Sequence, residues 1–415
     1  MMANPQQMIC SFCSKSNKDV KKLIANHAED SFICDECVDT CSKLLAAPSE
    51  KPAAASKKKK PLSLPSPRSI KDFLDQYVIG QDHTKEVLSV AVYNHYKRLE
   101  NPVIDGVEIE KSNILLCGPT GVGKTLLAHS VARMLDVPIA IADTTSLTEA
   151  GYVGDDVESI ISRLVQAADG DVKKAERGII FLDEIDKKRS REGSGTTTRD
   201  VAGEGVQQAL LKLLEGTEIM VPAGNRRGPN AELVKISTRN ILFILSGAFV
   251  GLDKILEGDG TGMGFGAVID KKKQVASDMM KRVEPEHLIK FGLIPELIGR
   301  VPVITILDEL DEPQLVRILT EPKNALVKQY SKMFLLDGID LQFDDEALTA
   351  VAKLARSRKT NGRALRGVLE ARLLKTQFNL PDLREQGVQQ IIIHASTIVD
   401  GTEPEFVYKA SKASS

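Results

Sequence analysis

Tryptophan is absent from this chain of 415 residues, and aromatic residues make up only 4% of it. Surfaces that grip single-stranded nucleic acid stack bases on aromatic rings, so such a platform is not the chain's main business. An excess of charge is missing too. A formal net charge of −2 sets up no global field toward nucleic acid or anionic membranes. No apolar run approaches the roughly 20 residues of a membrane span. The opening stretch Met1-Met-Ala-Asn-Pro-Gln-Gln-Met-Ile-Cys10 has no basic n-region, no apolar h-region and no Arg-rich amphipathic pattern, which are the marks of a leader or transit segment. The expectation is a cytoplasmic protein with neither membrane nor nucleic acid as partner. Cysteine is scarce: Cys10, Cys13, Cys34, Cys37, Cys41 and Cys117 are all there is, and in a reducing cytosol they are not read as disulfides. The length allows two or three domains.

What is present is concentrated in a few segments. Gly118-Pro119-Thr120-Gly121-Val122-Gly123-Lys124-Thr125 follows the apolar run Asn113-Ile-Leu-Leu-Cys117 and opens a helical pattern at Leu126. Strand, glycine-rich loop and helix together turn this spacing into a phosphate site. The glycines let backbone N–H groups curl around phosphate oxygens, and the helix N-terminus adds partial positive charge. Lys124 reaches the outer phosphates, and the Thr125 hydroxyl is placed to ligate Mg²⁺. Downstream, Gly178-Ile-Ile-Phe-Leu-Asp183-Glu184-Ile-Asp186 reads as a buried parallel strand with carboxylates at its C-terminal tip. Alone it would be an ordinary strand end. Beside a phosphate loop, Asp183 suits the Mg²⁺ shell and Glu184 suits the base that polarises an attacking water. The pair points to ATP hydrolysis with ATP and Mg²⁺ as cofactors.

At the N-terminal end, Cys10-x2-Cys13 is followed after twenty residues by Cys34-x2-Cys37. Two such pairs are the signature of a four-thiolate Zn²⁺ site. Four ligands leave no open position, so the zinc is structural, and it would supply most of the folding free energy of so short a module. Cys41 is surplus. Lys18, Lys21 and Lys22 are offset by Glu29, Asp30, Asp35, Glu36 and Asp39, which favours a protein-binding or dimerising module over a nucleic-acid knuckle.

These segments divide the chain into a zinc module (residues 1–46), a Pro/Ser/Ala/Lys linker (47–67) that cannot bury a core, a large α/β domain (68–308), a smaller, mostly helical C-terminal domain (309–405) and a frayed tail (406–415). In the large domain, strands at 113–117, 138–142, 178–183, 241–246 and 302–307 alternate with helical patterns, giving a parallel sheet with helices on both faces. In the smaller domain, helices at 312–336, 345–357 and 363–378 precede one strand at 390–394. Ligands of such a sheet sit at the C-terminal strand edges, where both motifs lie.

Further stretches carry a resemblance: Asp75-Gln-Tyr-Val78-Ile79-Gly80-Gln81, Gly151-Tyr152-Val153-Gly154, Phe291-Gly-Leu-Ile-Pro-Glu-Leu-Ile-Gly-Arg300 and Asn361-Gly-Arg363-Ala-Leu-Arg366. With the zinc module in front, the chain resembles the Clp family of AAA+ ATPases from about residue 8 to residue 400. The resemblance implies an ATP-driven protein unfoldase working as a homohexamer. It would thread tagged or unfolded proteins through a central pore into the ClpP peptidase ring, with adaptors bound by the zinc module and no peptidase activity of its own. Val78 and Ile79, which by themselves read equally as core, would pack on adenine. Arg300, by itself a surface charge, would be the arginine finger donated to a neighbouring subunit. Arg363 would be the second sensor, in a stretch that departs from the usual Gly-Ala-Arg-Gly-Leu-Arg while keeping both arginines. Tyr152 and Val153 would grip substrate in the pore, although on residue type alone a turn with a buried Tyr152 reads better. Met263, Gly264 and Phe265 would dock on the peptidase ring, where the family has Ile or Leu before Gly-Phe. Ser246, at the end of the fourth strand, is where a first sensor would lie.

Overall fold

Strand Ile114–Cys117 has all four side chains buried, and strand Leu242–Gly247 all six. Such runs are apolar throughout because both faces of a parallel sheet are covered. The computed structural model describes residues 9–25, 31–46, 64–101, 103–104, 106–148, 155–190, 203–222, 233–259, 283–358 and 361–409. Its chain contacts separate two units, residues 1–63 and 64–415.

In the first unit, β1 (Leu23–Ala25) pairs antiparallel with β2 (Phe32–Cys34), and α1 (Asp35–Ala46) follows directly. Among the described residues of this unit the only buried apolar side chains are Cys10 and Cys34.

In the second unit, α2 (Pro67–Asp75) and α3 (Asp82–Glu100) lead to β3 (Ile114–Cys117), α4 (Lys124–Leu135), β4 (Ile139–Asp143), α5 (Ser159–Ala167), β5 (Ile179–Asp183), α6 (Glu204–Glu215), β6 (Leu242–Gly247), α7 (Pro285–Phe291) and β7 (Val303–Ile306). The five strands form one parallel sheet in the order β7-β3-β6-β5-β4. The expected strands are therefore all present. The chain leaves β3 for the far edge, returns through β5 and β6, then crosses to β7 on the other side of β3. The strand order reverses at β3, and the crevice at its C-terminal end is where such sheets bind ligands.

Side chains alternate along each strand. Ile114, Leu116, Ile179, Phe181, Leu242 and Ile244 face one core with α2, α3 and α4. Leu115, Cys117, Ile180, Leu182, Phe243 and Leu245 face a second with α5, α6 and α7. Burying one such side chain contributes about 1.5–3 kcal/mol.

The rest of the unit includes α8 (Glu312–Thr320), α9 (Leu326–Leu336), β8 (Asp340–Phe343), α10 (Asp345–Ser357), α11 (Gly362–Phe378), β9 (Val388–Ile393) and β10 (Glu405–Tyr408), with short helices at Leu380–Glu385 and Ala395–Val399. Leu315, Phe334, Val351, Leu369 and Ile391 belong to the same apolar cluster as Leu116 and Phe181. Four expectations are corrected. The helix read across 312–336 is two helices. Pro322 brings no N–H to a helix ladder, and the Lys323 N–H goes instead to the Gln76 carbonyl at 2.9 Å. The single strand expected near 390 is the centre of a three-stranded sheet, β8-β9-β10. The tail expected from residue 406 instead supplies β10, held because Phe406 packs on the core and the Lys409 N–H reaches the Gly387 carbonyl at 2.9 Å. The linker also ends one residue earlier than read. Pro67 starts α2, with the Ser66 hydroxyl accepting the Ser69 N–H as its cap.

Candidate functional site

A cleft of about 550 Å³ opens where β3, β5 and β6 end. Its walls are the loop Thr120–Leu126, the segment Tyr77–Ile79, the strand tip Asp183–Glu184, Leu310 and Ile318 from the start of the C-terminal part, and Gly362–Arg363 from α11. Val78 and Ile79 are buried and give the cleft one apolar flank.

The loop's shape follows from its glycines. Gly123 has φ 106° at the cap of α4, a region closed to most side chains. A side chain on Gly118 would have its Cβ 2.7 Å from the Leu307 carbonyl oxygen, so only glycine lets the strand end pass so near its neighbour. The Lys124 ammonium donates to the carbonyls of Gly118 at 2.5 Å and Pro119 at 2.9 Å. Burial pulls its pKa below the ordinary lysine value, while Asp183 and Asp186 hold it up. A buried cation of this kind gains much from an arriving polyanion.

Asp183 is the hub. The Ser246 hydroxyl donates to Asp183 Oδ1 at 2.9 Å, the Glu184 N–H to the same oxygen at 3.0 Å, and the Thr125 hydroxyl to Oδ2 at 3.4 Å. The hydroxyl and carboxylate expected to share a hard cation therefore stand side by side at the mouth of the phosphate loop, an oxygen-only donor set that fits Mg²⁺. Glu184 sits at φ 60°, ψ 32°, an uncommon backbone for a residue other than glycine. Asp186 is buried and accepts the Ala248 N–H at 3.2 Å, tying the tip of β5 to the loop after β6.

The C-terminal part reaches the phosphate loop directly. The Asn361 side-chain amide donates to the Thr120 carbonyl at 3.0 Å, and the Gly362 N–H to the Gly121 carbonyl at 3.2 Å. Arg363, next in sequence, lines the cleft. A second tie lies behind the adenine-side segment: Gln81 Nε2 donates to the Asp308 carbonyl at 2.8 Å and Gln81 Oε1 accepts the Asp308 N–H at 2.9 Å. Spacing alone gave no sign of either amide. Both need the spatial neighbourhood of residues more than two hundred positions apart.

Arg300 is not among the cleft residues. It is half-exposed, and its guanidinium bonds to Glu215 Oε1 through Nε at 3.2 Å and Nη2 at 3.0 Å. Tyr152, Val153, Met263, Gly264 and Phe265 lie outside the described residues.

In the first unit the Sγ atoms of Cys10, Cys13, Cys34 and Cys37 all lie within 4.8 Å of one another. The Cys10–Cys37 and Cys13–Cys34 separations are 3.9 and 3.6 Å. A tetrahedron with Zn–S bonds of about 2.3 Å has S–S edges of about 3.8 Å, so the cluster fits the ion. The Cys34 N–H points at Cys10 Sγ at 3.3 Å and the Cys37 N–H at Cys34 Sγ at 3.4 Å. Burial pushes the Cys10 thiol up, but N–H groups of Phe12, Cys13 and Cys34 outweigh it and bring it down to about 6. Crowding by Cys13 and Cys34 pushes Cys37 up. The N–H donors favour the thiolate at Cys10, while the crowding of sulfurs around Cys37 is what a cation at their centre would relieve. Cys41 stands outside the cluster.

The sheet order, the phosphate loop and the acidic strand tip define an AAA ATPase, a class that acts on MgATP, and the thiolate cluster adds structural Zn²⁺. Residues 109–304 match the AAA domain of the Cdc48 subfamily, and residues 8–47 match the ClpX C4-type zinc finger. The chain is 49% identical over 397 residues to the ATP-dependent Clp protease ATP-binding subunit ClpX of Treponema denticola, spanning 94% of each chain. It belongs to the ClpX family. No helix among the described residues is long and apolar enough to cross a membrane.

Proposed function

We propose that the chain is an ATP-driven protein unfoldase that assembles as a ring of six in the cytoplasm and passes unfolded substrates to a ClpP peptidase ring. The observation that carries this reading is the two-sided cleft. Lys124, Thr125, Asp183 and Glu184 come from the large domain (68–308), and Arg363 enters from the small one (309–405). A motor needs hydrolysis to move one body against another, and here residues of both line the same cleft.

Within the cleft, Lys124 exchanges its two carbonyl partners for phosphate oxygens. Thr125 and Asp183 hold the metal edge. Mg²⁺, when bound with the nucleotide, neutralises charge on the β- and γ-phosphates. Glu184 orients and polarises the attacking water, and Ser246 keeps the Asp183 carboxylate in place at 2.9 Å. Arg363 reads the γ-phosphate and carries its loss into the small domain. Arg300, bonded to Glu215 away from its own cleft, is the finger for a neighbour's nucleotide. Tyr152 and Val153 grip the threaded chain, Met263, Gly264 and Phe265 dock on the peptidase ring, and the zinc module (1–46) takes adaptors or substrates.

The test is Glu184→Gln in the purified protein. Turnover should fall by about 10²–10⁴-fold, the usual contribution of a general base, with MgATP still bound. Unfolding of a tagged, stable fluorescent protein should stop, and neither form should cut it. Full unfolding activity in the variant, or ATPase driven by added DNA instead of by protein, would reject the reading.

A further inference from the structure

Asn361 is the point where the two parts of the nucleotide site are joined by a side chain. It is buried, and its backbone sits at φ 45°, ψ −132°, the corner of a tight turn that glycine normally occupies. Nothing in its own helix uses the side chain, which makes no cap bond to α11. Instead the amide donates to the Thr120 carbonyl at 3.0 Å, and the next residue's N–H donates to the Gly121 carbonyl at 3.2 Å. The approach is close: a Cβ on Gly362 would lie 3.0 Å from that same carbonyl oxygen.

These two carbonyls belong to consecutive peptide planes of the phosphate loop. In a trans peptide the C=O and the N–H of one plane point in opposite directions. Holding the Thr120 and Gly121 carbonyls from outside therefore aims the N–H groups of Gly121 and Val122 the other way. The residue that follows the pair of donors is Arg363, whose side chain lines the cleft.

We propose that Asn361 is a positioning residue for nucleotide turnover: its side-chain amide latches the outer face of the phosphate loop to the start of α11, so that the loop's amides and the Arg363 guanidinium close on the triphosphate as one body. The proposal rests on the reading of Arg363 as the γ-phosphate sensor. A latch of this kind sets the preference for ATP over ADP, because ADP, lacking the γ-phosphate, would engage the loop amides but not the Arg363 guanidinium joined to them.

The experiment measures ATP and ADP affinities, kcat and KM in Mg²⁺ for the full-length protein and for Asn361→Gly, Asn361→Asp, Arg363→Ala and the double variant Asn361→Gly/Arg363→Ala. Glycine keeps the unusual backbone and removes only the amide, so thermal melting should shift by no more than the weight of that one hydrogen bond. Aspartate keeps the size and sets an acceptor against the Thr120 carbonyl. Asn361→Gly should reduce the ATP-over-ADP preference about five- to tenfold, the weight of one hydrogen bond, and Asn361→Asp should reduce it more. In the Arg363→Ala background the further effect of Asn361→Gly should shrink below about twofold, since coupled residues are not additive. A silent Asn361→Gly beside a strong Arg363→Ala effect overturns the latch alone, as do fully additive losses in the double variant. An Arg363→Ala variant with unchanged nucleotide preference overturns the sensor reading and the latch with it.

Discussion

The two units of this chain are stabilised by different physics. In residues 9–46 the strands are three residues long, and Phe12 is 69% exposed and Ile24 53% exposed. The sulfurs of Cys10, Cys13, Cys34 and Cys37 are what its segments share. In residues 64–409 the sheet separates two apolar cores, with Phe181 in one and Phe243 in the other fully buried. A short segment cannot bury enough apolar area to offset its chain entropy, so the first unit needs a metal and the second does not. The same contrast separates what each can do. A closed four-thiolate site is rigid and chemically inert, whereas the sheet edge leaves a cleft between groups that can move apart.

Removing zinc should break the comparison most sharply. Metal binding in such modules supplies about 10–16 kcal/mol, so chelation should unfold residues 1–46 outright. The cooperative melting of residues 64–415 and their ATPase rate should stay as they were. Calorimetry with and without chelator reads both; a chelated protein whose main transition disappears would mean that the second unit also depends on the metal. The converse variant is Phe243→Ala. Phe243 is fully buried, with the Lys111 ammonium 4.4 Å from its ring centre. Truncation should lower the stability of the second unit by about 3–5 kcal/mol in urea titrations while zinc content is unchanged.

The contrast also explains how far each unit was legible in the sequence. The zinc ligands were readable because two Cys-x2-Cys knuckles need little else to place them. The five strands were readable because their apolar runs end in turn chemistry, and Lys124, Thr125, Asp183 and Glu184 because strand tips of a parallel sheet converge. Val78 and Ile79 could be placed on the cleft only through resemblance, since an apolar residue looks the same in a core and on a ligand's flank. The C-terminal part was less legible. Its β8 and β10 are four residues each, and pairing with β9 across long separations decides them. Asn361 and Gln81 were invisible as ties because a hydrogen bond from a side-chain amide to a distant carbonyl leaves no periodic trace.

Gln81 tests whether the second unit relies on polar ties as well as on its cores. It is nearly buried, at φ 60°, and exchanges two hydrogen bonds with the backbone of Asp308. With each net bond contributing about 1 kcal/mol, Gln81→Ala should lower stability by about 2 kcal/mol. It should also raise the KM for ATP, because Val78 and Ile79 lead directly into it. Gln81→Glu keeps the acceptor for the Asp308 N–H but sets a second acceptor against the Asp308 carbonyl in a buried site, and should cost at least as much as Gln81→Ala. A Gln81→Ala protein as stable as the parent would leave the apolar clusters as the whole account.

The smallest effect concerns charge. His394 bridges two carboxylates across the C-terminal sheet, with Nδ1 2.7 Å from Asp344 Oδ2 and Nε2 2.9 Å from Glu405 Oε2. The hydrogen bond to Glu405 and then that to Asp344 raise its pKa above the ordinary histidine value. A folded-state pKa above the unfolded one means that the native protein holds the extra proton more tightly. The bridge's contribution is therefore complete below about pH 6.5, the unfolded value, and is lost as pH rises through the raised folded value. The bridge is solvent-exposed, so salt should screen most of it. At low ionic strength the melting temperature of the second unit should decline from pH 6 toward pH 8 more steeply in the parent than in His394→Gln, and added salt should bring the two curves together. Curves that already run parallel at low salt would mean that the strands β9 and β10 are joined by their backbone ladder and by Phe406, with no help from the ion pair.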